Sequence, residues 1–249
     1  MLQMRQAPQW GQETLEVRRT FNAAEEALQT RDTAPYSLAA LAQQISEGTV
    51  TLQVRRATVE DLAVILDMID EAKAWLRTKG TDQWSKDWPD KDGRRRSDRV
   101  EHSLKEETTW LVRLVVQGRE IPVATVTIEK KANPDVWPGQ EKTGGSAAYL
   151  SRLVTARGFA GLQIGAALID WACAYAEREY HAKSIRIDVW TNNCALHKYY
   201  ENLDFEARGK CPNEDYPSRA LFERATSIKK GLGPSLVELR DTSSGIRPI

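Results

Sequence analysis

The chain has 249 residues and is short of cysteine, of long apolar runs and of any surplus charge. Each shortage removes a class of function. Its three cysteines, Cys173, Cys194 and Cys211, lie far apart without metal-ligand spacing, so no metal site is expected. Their sparse, odd number points to a reducing compartment. No segment approaches the ~18 consecutive apolar residues of a membrane helix. The N-terminus has no signal-peptide apolar region, so a cytoplasmic protein is expected. Lys plus Arg and Asp plus Glu both number 35, which leaves no overall basic field for nucleic acid. The local run Arg94-Arg95-Arg96 reads as a solvated helix face. No internal repeat is present.

What is there changes character along the chain. Val17, Phe21, Ala24 and Leu28 recur at helical spacing, which predicts a helix over 12–31. A second follows Pro35, with Ser37 as cap, Leu38, Leu41 and Ile45 on one face, and Gly48 as stop. Residues 1–49 are therefore expected to form a helical extension, a packing pair with too few basic residues for a DNA-reading helix. From Val50 the pattern T-L-Q-V-R-R-A-T alternates like a strand. Thr58 then opens a helix carrying Leu62, Ile65, Leu66 and Ile69, which ends before Gly80. Another helix is expected over 92–105, and a β-hairpin over 109–130 turning at Gly118. Two prolines and two adjacent glycines make 132–145 a surface loop. Strands over 147–155, 184–190, 205–211 and 219–225 alternate with helices over 162–180 and 193–202. After Ser227 periodicity is lost, so 227–249 is expected to be a loosely ordered tail.

The most informative stretch is L-V-T-A-R-G-F-A-G-L-Q-I-G-A-A, from Leu153 to Ala167. An apolar strand runs into a loop with glycines at 158, 161 and 165, and an amphipathic helix begins at once. That geometry aims unpaired backbone N–H groups and a helix N-terminus at one point, where a phosphate binds with little help from side chains. The spacing is neither G-x-x-x-x-G-K-[ST] nor a clean G-x-G-x-x-G.

Three segments in order carry a resemblance to the GNAT superfamily of N-acetyltransferases, over roughly residues 51–226. They are R-R-A-T-V-E-D-L, S-R-L-V-T-A-R-G-F-A-G-L-Q-I-G-A-A-L-I-D-W-A, and I-D-V-W-T-N-N-C-A-L-H-K-Y-Y-E-N-L-D-F. The resemblance implies an α/β (α+β) GNAT fold over 50–226, a mixed central sheet splayed at the cofactor strand and flanked by helices. It implies acetyl-CoA as acyl donor, no metal, and direct transfer to an amine of a small molecule or peptide, with a homodimer as one possible assembly. Leu153 and Val154 would meet the pantetheine arm. The N–H groups of Ala160, Gly161, Leu162, Gln163, Ile164, Gly165 and Ala166 would meet the pyrophosphate.

Gln163 stands where the family's R/Q-x-x-G-x-G/A pattern has its first glycine, so its amide serves only if its φ stays negative. Asn193 and Tyr200, seven residues apart, match the family's pantetheine-contacting Asn and its thiolate-protonating Tyr. Tyr199 would point about 100° away on the same helix. Asp204 replaces the family's Gly after this helix. Glu129 is the carboxylate expected to act as base. Asp188 reads as orienting a neighbour or as a structural pair, and His197 as a surface or tuning group. Trp84, Trp88, Trp137 and Tyr149 are expected to line the acceptor site, where aromatic faces suit an amine. Two other classes stay open at this stage: a catalytically idle domain that senses CoA or a metabolite, and a DNA-binding regulator using 31–50.

Overall fold

A computed structural model describes residues 38–85, 93, 95–139 and 147–239. The helix expected over 12–31 and the side chain of Trp88 lie outside them. Helix α1 (Leu38–Ser46) precedes strand β1 (Leu52–Arg56), helix α2 (Leu62–Thr78) and helix α3 (Arg96–Lys105). Strands β2 (Thr109–Val116), β3 (Arg119–Glu129) and β4 (Ala147–Thr155) follow, then helix α4 (Ile164–Tyr180) and β5 (Ser184–Val189). Helix α5 (Cys194–Asn202) and strands β6 (Glu206–Lys210), β7 (Ala220–Ala225) and β8 (Leu236–Glu238) complete the order. All eight strands join one open mixed sheet in the order β6-β7-β5-β4-β3-β2-β1-β8.

Local chemistry accounts for the boundaries. The β2–β3 turn places Gln117 and Gly118 at φ 50° and 76°, the two positive values a type I′ hairpin needs. Helix α2 grows out of a single 3-10 turn (Val59–Asp61), where Asp61 accepts from the Thr58 amide at 2.8 Å. The guanidinium of Arg55 clamps the same carboxylate through two donors at 2.7 and 2.8 Å and holds it below the usual Asp range, against the opposing effect of burial.

Alternation on the strands divides the core. Val126, Ile128, Leu150, Ile185 and Ile187 face α4, whose Ile164, Leu168, Ile169 and Ala172 are buried with them. The opposite face of the sheet is covered by α2 and α3 through Ile65, Met68, Ile69, Val100 and Leu104. Leu41 and Ile45 of α1 are also fully inside the α4-side core, so this helix is part of the domain and its apolar face is taken. The 132–145 loop is likewise anchored where it is described: Val136 and Trp137 are buried against Tyr149, Cys211 and Leu221.

Two expectations need correction here. The segment after Ser227 is no loose tail as far as residue 239, because β8 pairs in parallel with β1 through Leu52↔Leu236 and Val54↔Glu238. Two ion pairs pin it further, Lys230 to Asp204 at 2.9 Å and Glu238 to Arg178 of α4 at 2.9 Å. The domain boundary drawn at 226 therefore falls inside the folded unit. No helix among the described residues is long and apolar enough to cross a membrane.

Candidate active site

The site begins where two parallel strands part. Strands β4 and β5 pair from Ala147↔Ser184 to Leu150↔Ile187, and the ladder stops there. Beyond it, Ser151–Thr155 keep β3 as a neighbour on one side and have no β5 partner on the other. The same stretch is irregular, since Thr127 pairs with Ser151 but Thr125 pairs with Val154. Arg152 and Leu153 together oppose the single residue Val126, a β-bulge, and Arg152 takes a left-handed φ of 53°. Its Nε donates to Thr127 at 3.1 Å. Leu153 and Val154, the expected pantetheine contacts, thus lie on a strand whose β5-side edge is free for another extended group to join.

The glycine loop closes one end of this opening. A 3-10 turn (Arg157–Phe159) follows β4, and the guanidinium of Arg157 stacks on the Trp75 ring of α2 at 4.0 Å. Gly161 has φ 87° and Gln163 has φ 58°, so the condition of negative φ at Gln163 is not met. Both residues are left-handed, and the chain turns into α4 with Gln163 as its N-cap. The first inward helix bond runs from the Ala167 amide to the Gln163 carbonyl at 3.0 Å. The amides of Ile164, Gly165 and Ala166 therefore have no intrahelical acceptor, and they point out of the helix end with its partial positive charge. From the other side Gly233 presses on this cap, with no room for a Cβ beside the Gln163 carbonyl oxygen.

The two tyrosines of α5 divide their positions differently from expectation. Tyr199 is not a bystander: a Cβ on Gly165 would sit 2.8 Å from its hydroxyl, so the phenol reaches the glycine loop. Burial pushes its pKa up to about 12. Tyr200 turns inward, edge-on to Phe205 at 5.3 Å. Burial, with Tyr199 and Asp188 nearby, pushes its phenol well above the ordinary tyrosine range and keeps it protonated. Asn193 is the side-chain cap of α5, its Oδ1 accepting from Leu196 N at 3.1 Å. Its amide donates to Gln83 at 2.7 Å, so both ends of this side chain are engaged within the protein. His197 bonds the Trp190 carbonyl at 2.9 Å and packs on Phe222, which ties α5 to β5.

A polar cluster occupies the α2–α3 side of the opening. Asp188 is one residue past the last β4–β5 rung and accepts from the Tyr216 hydroxyl at 2.8 Å. Burial pushes the Asp188 carboxyl up to about 6, with the Glu129 charge adding to it and Tyr216 and Arg152 opposing it. The Arg152 guanidinium is pulled below its usual range by burial, while Glu129 acts to raise it. Glu129 thus stands within electrostatic reach of both groups, at the end of β3 opposite Tyr149.

The expected acceptor aromatics are mostly packing elements. Trp137 and Tyr149 meet edge-on at 5.9 Å in one buried cluster, with the Arg186 guanidinium 5.3 Å above Trp137. Trp84 packs instead on the α2–α3 cluster, and its carbonyl accepts from Arg96 at 2.8 Å. An open cleft of about 240 Å³ lies elsewhere, lined by Asp82, Trp190, Glu214, Asp215, Tyr216 and Arg219 among others. Only the aromatic end of β5 gave the sequence a cue to it, because 214–219 arrives from a distant loop. Among the described residues no group of His, Cys, Asp and Glu is placed to hold a metal ion.

Comparison with known proteins gives the family and supports the fold. The family model described as "Acetyltransferase (GNAT) family" matches residues 70–205, more than half of the chain. The uncharacterized N-acetyltransferase YesJ of Bacillus subtilis (strain 168) is 27% identical over 175 residues, covering 68% of this chain and 87% of the relative. A GNAT-family acetyltransferase from Listeria monocytogenes 4b F2365 superposes with a TM-score of 0.54 at 24% identity, over 70% of this chain and 94% of that one. One from Streptococcus agalactiae 2603 gives 0.51 at 17%, over 70% and 95%.

Proposed function

Since the chain belongs to the GNAT acetyltransferase family, we propose that it is an N-acetyltransferase that moves an acetyl group from acetyl-CoA to an amine by direct attack. The observation that carries this reading is the set of unbonded amides at Ile164, Gly165 and Ala166, at the head of a strand edge that β5 has left free. Amides facing outward from a helix end suit a pyrophosphate, and the free edge of Ser151–Thr155 suits an extended arm. Gln163 does not block this fit, because a left-handed residue still presents its N–H outward in a nest.

Acetyl-CoA supplies the acetyl group as an activated thioester. In this reading Ala160 to Ala166 hold the phosphates, and Leu153 and Val154 align the arm. Asn193 acts by setting the start of α5. Tyr200, protonated by its burial, gives its proton to the departing sulfur. The amine loses its proton to a carboxylate on the α2–α3 side, where Glu129 and Asp188 both stand. Its nitrogen forms the new bond to the carbonyl carbon as the carbon–sulfur bond breaks. The acceptor enters through the cleft at Asp82, Trp190 and Tyr216.

The test is a thermal-shift titration with acetyl-CoA, with desulfo-CoA and ATP as controls, followed by thiol release across a panel of primary amines. A saturable rise in melting temperature and amine-dependent thiol release are expected. No shift at millimolar acetyl-CoA would sink the reading. Binding without release by any amine would replace it with a CoA sensor.

A further inference from the structure

We propose that Asp188, rather than Glu129, is the base that takes the acceptor amine's proton, and that Tyr216 positions it. The inference rests on the acetyltransferase reading above and deepens it. Asp188 occupies the rung directly after Leu150↔Ile187, where β5 first lacks its parallel neighbour. On its other side it stays paired to Leu221 of β7, so its backbone is fixed while one flank opens on the gap. Strand alternation sends its side chain to the same face as Ser184 and Arg186, the face opposite the α4-side residues Ile187 and Val189. Tyr200 lies in the α4-side core, close enough to feel the Asp188 charge. A proton donor and a proton acceptor thereby stand on opposite faces of the sheet within electrostatic reach of each other, an arrangement suited to transfer from amine to thiolate.

The bond from Tyr216 distinguishes the two carboxylates. Its hydroxyl holds Asp188 at 2.8 Å, and Tyr216 also lines the open cleft, so one residue joins the entry to the base. Glu129 stands at the end of β3 beside Lys130 and Lys131, opposite Tyr149 rather than at the rung where β5 loses its parallel neighbour. The groups facing Asp188 are Glu129 from β3, Arg152 from β4, Tyr200 from α5 and Tyr216 from the β6–β7 loop. Arg99 of α3 acts on Arg152 and Tyr216 behind them. With its carboxyl pushed up to about 6, Asp188 is ionised at neutral pH yet basic enough to receive a proton. The step balances: the amine's proton passes to Asp188, the nitrogen–carbon bond forms, the carbon–sulfur bond breaks, and the sulfur takes the Tyr200 proton.

The test compares the full chain with D188N, Y216F and E129Q by thiol release from acetyl-CoA with primary amines across pH 5–9, beside acetyl-CoA thermal shifts. Wild type should gain kcat/KM through a limb near pH 6. D188N should lose about 10²-fold or more and lose that limb, while still being stabilised by acetyl-CoA. Y216F should move the limb upward, because the phenol's hydrogen bond lowers the Asp188 pKa. A merely structural tyrosine would leave the limb in place. E129Q should move the limb downward, since the Glu129 charge raises it. Wild-type rate and an unmoved limb in D188N, or loss of the limb in E129Q alone, would overturn the assignment and leave the acetyltransferase reading standing. If D188N proves unfolded, an unmoved limb in Y216F overturns it equally. No release by the wild-type protein with any amine would bring down both readings.

Discussion

Gln163 is left-handed at φ 58° in a position its family fills with glycine, a conformation that costs a side-chain-bearing residue about 1–2 kcal/mol. Gln163→Gly should therefore raise the melting temperature, by up to about 1 kcal/mol of stability, and leave the response to acetyl-CoA intact. Thermal denaturation with and without the ligand reads both. Gly165 is constrained in the opposite sense. A methyl there would lie 2.8 Å from the Tyr199 hydroxyl, so Gly165→Ala should weaken acetyl-CoA binding by about 1–2 kcal/mol. The same substitution in a Tyr199→Phe background, where the oxygen is gone, should recover most of that loss. A double-mutant cycle without coupling would separate Tyr199 from the loop. The sequence made the loop legible because glycine spacing is a local signal. It could not assign the tyrosines, because which phenol meets the loop depends on how α5 sits over β4 and β5.

At the scale of elements, the α5 cap shows how local and distant contacts combine. The seven-residue spacing from Asn193 to Tyr200 pointed to the helix, and Asn193 does start it. Its second bond, to Gln83 in the loop after α2, crosses 110 positions and was invisible in sequence. Asn193→Ala should cost about 1–2 kcal/mol from the lost cap and leave the buried Gln83 amide without its partner. Asn193→Asp keeps the acceptor for Leu196 but removes the donor to Gln83, so urea denaturation should place it between wild type and the alanine variant. The hairpin was legible for the same local reason, as its turn requires Gly118. The rung at which β4 and β5 part was not, because only their pairing reveals where the ladder ends. Alternation could assign Asp188 a face of β5, but it could not show that this position flanks an opening.

Over the whole molecule, one buried cation ties together parts far apart in the chain. Arg224 of β7 is fully buried, donates to Asp170 of α4, and also caps the Ile228 carbonyl at 2.8 Å. The second Asp170 oxygen accepts from the Gly231 amide at 2.8 Å. Asp170→Ala strands a buried guanidinium and should cost about 3–5 kcal/mol, seen as a large drop in denaturation midpoint. A loss below about 1 kcal/mol would mean that water reaches Arg224. The core layers were readable from periodicity, whereas this clamp was not, since aperiodic sequence after Ser227 carries no pattern from which pairing could be inferred.

The contact of Gly233 with Gln163 has a consequence in time as well as space. During synthesis the glycine loop leaves the ribosome long before the segment that braces it, and β1 waits with an outer edge that β8 later covers. A nascent chain halted between these events would expose a bare strand edge and an unbraced loop together, the condition in which partly made domains stick to one another. Competence to bind a nucleotide-bearing ligand would then be gained late and all at once, as β8 docks, so ligand binding by stalled chains of increasing length should report that docking.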